Sequence, residues 1–265
     1  MKPIITKTLF LFTLVQIAAL FAGLKFTAQH VSVLENPAST DNSVYLFATI
    51  VAFAVILLIV LKLYKGKLLF LLLELAMEFT AVQLLAGLFI TSGIVPTLIA
   101  LAAILLRLKL PQTRQLLLMA TIAIVGGLLG SSLDILPAAL LAILLAGYDV
   151  IAVFYTKHMV TLAKELTSRQ AAFSLKITQG KDKLELGTGD VVVPAMLIVA
   201  ANRIGKIGLH LGTDAVSIAA IAGIFGAVIG MAALLFYLEK KKGYLPALPP
   251  IVIGTIAGIL LATLL

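Results

Sequence analysis

The sequence predicts an all-α, multi-pass membrane protein of nine transmembrane helices, with a cytoplasmic N-terminus and a C-terminus on the opposite side. Three observations carry that prediction. Of 265 residues, 62% are hydrophobic and only 12% charged, where soluble domains run about 45–50% and ~25%. The mean hydropathy of +1.16 agrees, and together they exclude a water-soluble globular enzyme. The apolar residues gather into stretches suited to the ~30 Å hydrocarbon core, which takes about 20 residues of helix. Cysteine is absent, which excludes a disulfide scaffold, a thiol nucleophile and a Cys-ligated metal.

The first span runs from Leu9 to Phe26. A basic start before an apolar run also describes a signal peptide, but no small-x-small cleavage site precedes the next polar stretch. It therefore counts as a helix. The second span is Val44–Tyr64, behind the polar loop Thr40–Ser43, and the third is Leu68–Ile90. A short fourth covers Val95–Leu106, and the fifth Gln115–Leu133. A turn at Ser131, Ser132 and Asp134 leads into the sixth, Leu136–Val160, where Pro137 suits a first helical turn. The seventh, Asp190–Ala201, is short. The eighth covers Ala215–Leu238, and the ninth runs from Pro246 to the end of the chain. In the eighth, Gly223, Gly226 and Gly230 suit close helix packing. All nine form one integrated membrane domain, with helices one to five in 1–134 and six to nine in 135–265. No internal repeat relates the two halves.

The loop 161–186 has structure of its own. Thr161–Ala172 is polar with helical character. Leu175 and Ile177 then alternate with Lys176 and Thr178, and after Gly180-Lys181-Asp182 the alternation resumes at Leu184 and Leu186. Period-two alternation around a glycine turn predicts a short β-hairpin. An amphipathic loop lying on the headgroups is the alternative.

Charge fixes the orientation. With the N-terminus inside, 17 of the 20 Lys and Arg residues fall on inner segments, and only Lys25, Arg203 and Lys206 lie outside. That is the positive-inside pattern. The net charge of +8 therefore marks topology, and nucleic acid is not a partner. The outer loops hold Glu35, Asp41, Asp134 and Asp214.

Function should show where ionisable groups lie inside spans, since each costs a few kcal/mol there. Four of the twelve acids do: Glu74, Glu78, Asp149 and Asp190. Glu74 and Glu78 are four apart and share a helix face. They could form a metal or proton site, but no His or third acid is spaced to complete one. The plainer expectation has them pointing into the bundle and hydrogen-bonding to Gln83 or another polar neighbour. His158 and His210 at helix ends and His30 in a loop have no ligand spacing either, and read as interfacial polar residues.

Asp149 follows Gly147-Tyr148 in a helix running inward, eight residues before Lys157, or about 12 Å. Asp190 opens an outward-running helix behind Gly187-Thr188-Gly189. Opposite chain directions put both acids in the same half of the bilayer. Two carboxylates sharing a site do not both ionise easily, so one keeps its proton. The ionised partner then takes a proton from water while the neutral one polarises a peptide carbonyl, which is hydrolysis without an acyl intermediate. Alone, Gly-x-Gly-Asp is a weak signal that also describes a helix N-terminus favoured by Asp.

Tyr148-Asp149, Gly187-Thr188-Gly189-Asp190 and Pro246-Ala247-Leu248 nevertheless occur in order, each in or at the mouth of a span. This set resembles the presenilin and signal peptide peptidase family of intramembrane aspartyl proteases. The likeness is close from the sixth span onward and loose before it. It implies that Asp149 and Asp190 are the catalytic pair, with Tyr148, Gly187, Gly189, Pro246, Ala247 and Leu248 supporting them. It implies no cofactor and no metal, and substrates that are transmembrane segments of proteins in the lipid bilayer. It also implies substrate access through a lipid-facing cleft between the second, sixth and ninth helices. Leu245-Pro246-Ala247-Leu248-Pro249 and the N-in orientation resemble presenilin, which cuts type I segments, more than signal peptide peptidase. The 26-residue loop is far shorter than that of animal presenilins, so maturation by self-cleavage is not implied. A compact, archaeal-type presenilin homologue is the closer likeness.

The hairpin adds an expectation of its own. An unwound substrate would pair with one of its strands, through Leu184 and Leu186, and present an extended peptide bond to the aspartates. Buried carboxylates also serve proton-coupled transporters, which often carry inverted repeats and broken helices. A non-catalytic membrane scaffold is a third reading. The ordered motifs place the protease first.

Overall fold

The structure is a computed structural model that describes residues 3–90, 93–110, 112–155, 174–180, 182–204, 208–211, 214–240 and 245–264. Among these are nine α-helices and two β-hairpins. The helices α1 (Pro3–Ala28), α2 (Asp41–Leu63), α3 (Leu68–Gly87), α4 (Val95–Lys109) and α5 (Thr113–Ser132) precede α6 (Ile135–Val150), which continues as a π-helical turn, Ile151–Tyr155. The strands β1 (Ser174–Gln179) and β2 (Asp182–Gly187) follow, then α7 (Gly189–Ala201). The strands β3 (Gly208–Leu211) and β4 (Asp214–Ser217) lead into α8 (Ile218–Lys240), and α9 (Leu248–Leu264) ends the chain. Six helical stretches are long and apolar enough to cross a membrane, so the chain is a multi-pass integral membrane protein.

The elements fall where hydropathy places them, with one correction. The eighth span was expected from Ala215, but Asp214–Ser217 is a strand paired antiparallel with Gly208–Leu211. The apolar run 215–217 reads equally as the start of a helix, and the pairing decides against it. Asn202 holds the junction. Its Nδ2 donates to the Ala215 carbonyl at 3.2 Å, and its Oδ1 accepts from the Ser217 N–H at 2.7 Å. The expected helical character of Thr161–Ala172 lies outside the described residues, as does His158.

Packing centres on α7, whose residues from Val193 to Ala201 are all buried. It lies against α1, α5, α6, α8 and α9, so helices from both halves of the sequence enclose it. Glycine sets the closest approaches. A Cβ on Gly126 of α5 would stand 2.7 Å from the Ala195 Cβ. Between α8 and α9, Cβ atoms on Gly226 and Gly254 would each collide with the other's backbone. At the other extreme, α2 touches mainly α6 and presents Phe53, Ile56 and Ile59 outward. In water those side chains would be a liability, and in a bilayer they meet lipid.

The two ends of the bundle are held by different polar contacts. At one end Arg203 pairs with Asp134 at 2.7 Å, both expected on outer loops. At the other, Lys7 Nζ donates to the Thr178 carbonyl at 3.1 Å, and Gln115 Oε1 accepts from the Lys176 N–H at 3.3 Å. The N-terminal end of α1, the start of α5 and the β1–β2 hairpin therefore share one side.

That hairpin is the one predicted. Its register pairs Leu175 with Leu186, Ile177 with Leu184 and Gln179 with Asp182. The two-residue turn holds Gly180 at φ +60, a conformation glycine adopts without steric cost. The pair closing a two-residue loop exchanges both of its hydrogen bonds, and the pattern then alternates along the ladder. Leu184 and Leu186 thus spend their backbone groups within the hairpin. Lys176 and Thr178 on β1, and Lys183, Glu185 and Gly187 on β2, direct theirs outward.

Candidate active site

Asp149 is the penultimate residue of α6, two before it gives way to π geometry, a local widening frequent at functional sites. It is 8% exposed, and its carboxylate is held by backbone. The Leu248 N–H donates to Oδ2 at 3.2 Å, and the Ala247 N–H is a second donor. The sequence explains why those amides are offered. A helix N-terminus presents four N–H groups lacking intrahelical acceptors. In α9 the first turn is Leu248-Pro249-Pro250-Ile251, and its two prolines have no N–H to give. Pro246, before the helix, likewise leaves its neighbours as donors. The motif thus acts through its backbone, with the positive end of α9 directed at Asp149.

Asp190 is the second residue of α7 and is partly buried. Its carboxylate accepts from the Gly187 N–H, one of the groups that the ladder leaves facing outward. A Cβ on Gly187 would stand 3.0 Å from Asp190 Oδ2, so a side chain here would press on the carboxylate. At Gly189 an added Cβ would meet nothing within 4 Å, and packing imposes no such demand. Asp149 acts electrostatically on Asp190, and α6 packs against α7. The two acids thus lie within electrostatic reach of one another.

The remaining expected site residues flank this pair. The Tyr148 ring meets Phe47 of α2 edge-on, with centroids 6.2 Å apart and planes at 85°. Leu186 is buried, and Leu184 packs on the same core cluster, so both side chains face inward. Their backbone groups pair with β1.

Glu74 and Glu78 point into the bundle, and their polar neighbours are arginines rather than Gln83. Both are buried, and they bind arginines. Arg107 of α4 bonds Glu74 and reaches Glu78 Oε2 at 2.5 Å, while Arg114 of α5 forms a two-point contact with Glu74 at 2.7 Å. Gln83 donates instead to Thr97 Oγ1 at 3.0 Å. The cluster ties three helices together.

A family model described as signal-peptide peptidase, presenilin aspartyl protease matches residues 9–265. The chain belongs to this family. The fold agrees with that of a solved presenilin-family intramembrane aspartate protease. In its C222 crystal form the TM-score is 0.72, at 24% identity over 98% of each chain. In its P2 form the score is 0.68, at 23% identity over 96% of each. No curated protein matches the chain.

For this presenilin-family chain, reading the sequence missed the arginine partners, the capping of β1 by Lys7 and Gln115, and Gln16. Fully buried in α1, Gln16 donates from Nε2 to the Val191 carbonyl at 3.1 Å. A polar residue inside an apolar span was the available signal.

Proposed function

We propose that the chain is an intramembrane aspartyl endopeptidase in which Asp149 and Asp190 jointly activate water. The observation that supports this reading is that two carboxylates from packed helices lie within electrostatic reach of one another, each beside backbone N–H groups of a different element. Backbone donors fix the oxygens without introducing a titrating competitor. The ionised carboxylate takes a proton from water as its oxygen attacks the scissile carbonyl carbon, and the neutral one hydrogen-bonds the carbonyl oxygen. As the tetrahedral intermediate collapses, the C–N bond breaks and the proton passes to the leaving nitrogen. The transporter reading has no comparable support, and family membership speaks against it.

Substrates on this reading are transmembrane segments of type I orientation. The N-in arrangement that this requires rests on the distribution of basic residues and on the grouping of Lys7, Gln115 and the hairpin at one end. The active-site mouth is then cytoplasmic. A transmembrane helix hides its backbone, so it must unwind before hydrolysis. The hairpin offers it a strand to pair with. On β1 the outward groups of Lys176 and Thr178 already bond Gln115 and Lys7. The β2 edge runs straight to Gly187 and so to Asp190.

The test uses purified protein in detergent with a single-span peptide, comparing wild type with Asp149→Asn and Asp190→Asn. Both variants should lose cleavage entirely, and full activity in either overturns the dyad.

A further inference from the structure

We infer that Gln16 is a positioning residue for Asp190, fixing the backbone of the first turn of α7 from the neighbouring helix α1. This inference rests on the protease reading above. Polar side chains in an apolar span usually turn back on their own helix, as Thr8 and Thr13 do by donating to Ile4 and Leu9. Gln16 instead crosses to α7, one residue beyond Asp190. Its cost is visible, because Oε1 is buried without a hydrogen-bond partner among the described residues. A buried acceptor left unpaired works against stability, so net stabilisation is a poor account of this side chain.

The turn it holds needs an outside support. The first N–H groups of any helix lack intrahelical acceptors, and here the Val191 amide falls back at 3.2 Å on the Thr188 carbonyl, which already takes the regular bond from the Val192 amide at 3.0 Å. One turn on, Pro194 lies inside the helix. It has no N–H for the carbonyl of Asp190, four residues earlier, and its ring crowds that carbonyl. The backbone at Asp190 is thus the least self-supported part of α7. Gln16 bonds the adjacent carbonyl from a helix locked in place by glycine contacts. A Cβ on Gly127 of α5 would stand 2.9 Å from the Ala19 carbonyl oxygen of α1.

The experiment measures kcat, KM and Tm for Gln16→Met, which keeps the bulk and removes the donor, in wild-type and Pro194→Ala backgrounds. Asp190→Asn runs beside them as control. Expected is a roughly 10-fold or larger fall in kcat with KM and Tm unchanged. In the Pro194→Ala background, the restored N–H supports the turn from within, and the same substitution should cost under about 3-fold. Wild-type kcat in Gln16→Met overturns the inference. So does a kcat loss that follows a lower Tm, or one of equal size in both backgrounds. If Asp190→Asn stays active, the dyad reading fails instead, and the control keeps the two failures apart.

Discussion

Replacing Arg107 by Met should destabilise the protein far more than loss of one exposed ion pair would. At 2.5 Å, and an effective dielectric constant of ~20, the attraction between Arg107 and Glu78 is about 7 kcal/mol before any cost is counted. Desolvating each ion takes back several kcal/mol, so the intact pair contributes little net. Removing the arginine leaves the cost of Glu78 without the return. Glu74 keeps its two-point contact with Arg114, so the stranded group is Glu78. Breaking a buried pair in this way costs about 3–5 kcal/mol. Glu78→Gln in the Arg107→Met background removes the stranded charge and should recover roughly 2–3 kcal/mol of that. The assay is reversible unfolding in mixed micelles, followed by circular dichroism, for wild type, both single variants and the double variant. An Arg107→Met protein within about 1 kcal/mol of wild type would refute the reasoning. A double variant no more stable than Arg107→Met would refute it equally.

Other substitutions probe the site and its scaffold. Gly187→Ala places a methyl 3.0 Å from Asp190 Oδ2; peptide cleavage should fall at least about 10-fold, roughly 1.4 kcal/mol in the barrier, with little change in Tm. Leu248→Pro deletes the N–H that holds Asp149 while Leu248→Ala keeps it, so the proline variant should lose much more kcat than the alanine one. Gly226→Leu should separate α8 from α9 and cost more than about 3 kcal/mol in unfolding measurements. Gly147→Ala meets nothing within 4 Å and should stabilise α6 by up to about 1 kcal/mol.

The fold was legible wherever one local rule decided it. Long apolar runs located the helices, and the alternation at Leu175, Ile177, Leu184 and Leu186 located the hairpin. The β3–β4 hairpin was hidden because its second strand merges with the apolar run of α8, and only pairing with residues 208–211 separates them. That the two aspartates come toward each other was legible because consecutive helices run in opposite directions. The same reasoning could have reached the arginines. Glu74 lies six residues into α3, Arg107 two residues from the end of α4, and Arg114 one residue into α5, so all three lie toward the same end of their helices, within reach of long arginine side chains. Counting those arginines only as topology markers concealed it: a basic residue at a helix end can reach inward to an acid as readily as outward to headgroups. The roles of Leu248 and Gly187 were legible as a motif but not as chemistry, because the donors are backbone amides that no side-chain pattern displays.

That use of the backbone makes the geometry of the pair depend on contacts remote from it. Asp149 takes its position from α6 and its hydrogen bond from the start of α9, and α9 is placed by its glycine contact with α8. Asp190 takes its position from α7 and its hydrogen bond from the end of β2. The strand is placed through β1, which Lys7 and Gln115 fasten to α1 and α5. Moving any one of these elements relative to the others shifts a donor away from its carboxylate while the aspartate's own helix stays intact. The glycines of α8 and α9 therefore belong to the catalytic argument as much as to the packing one. A disturbance at Gly226 should reach Asp149 through the Leu248 amide, without any side-chain relay between them.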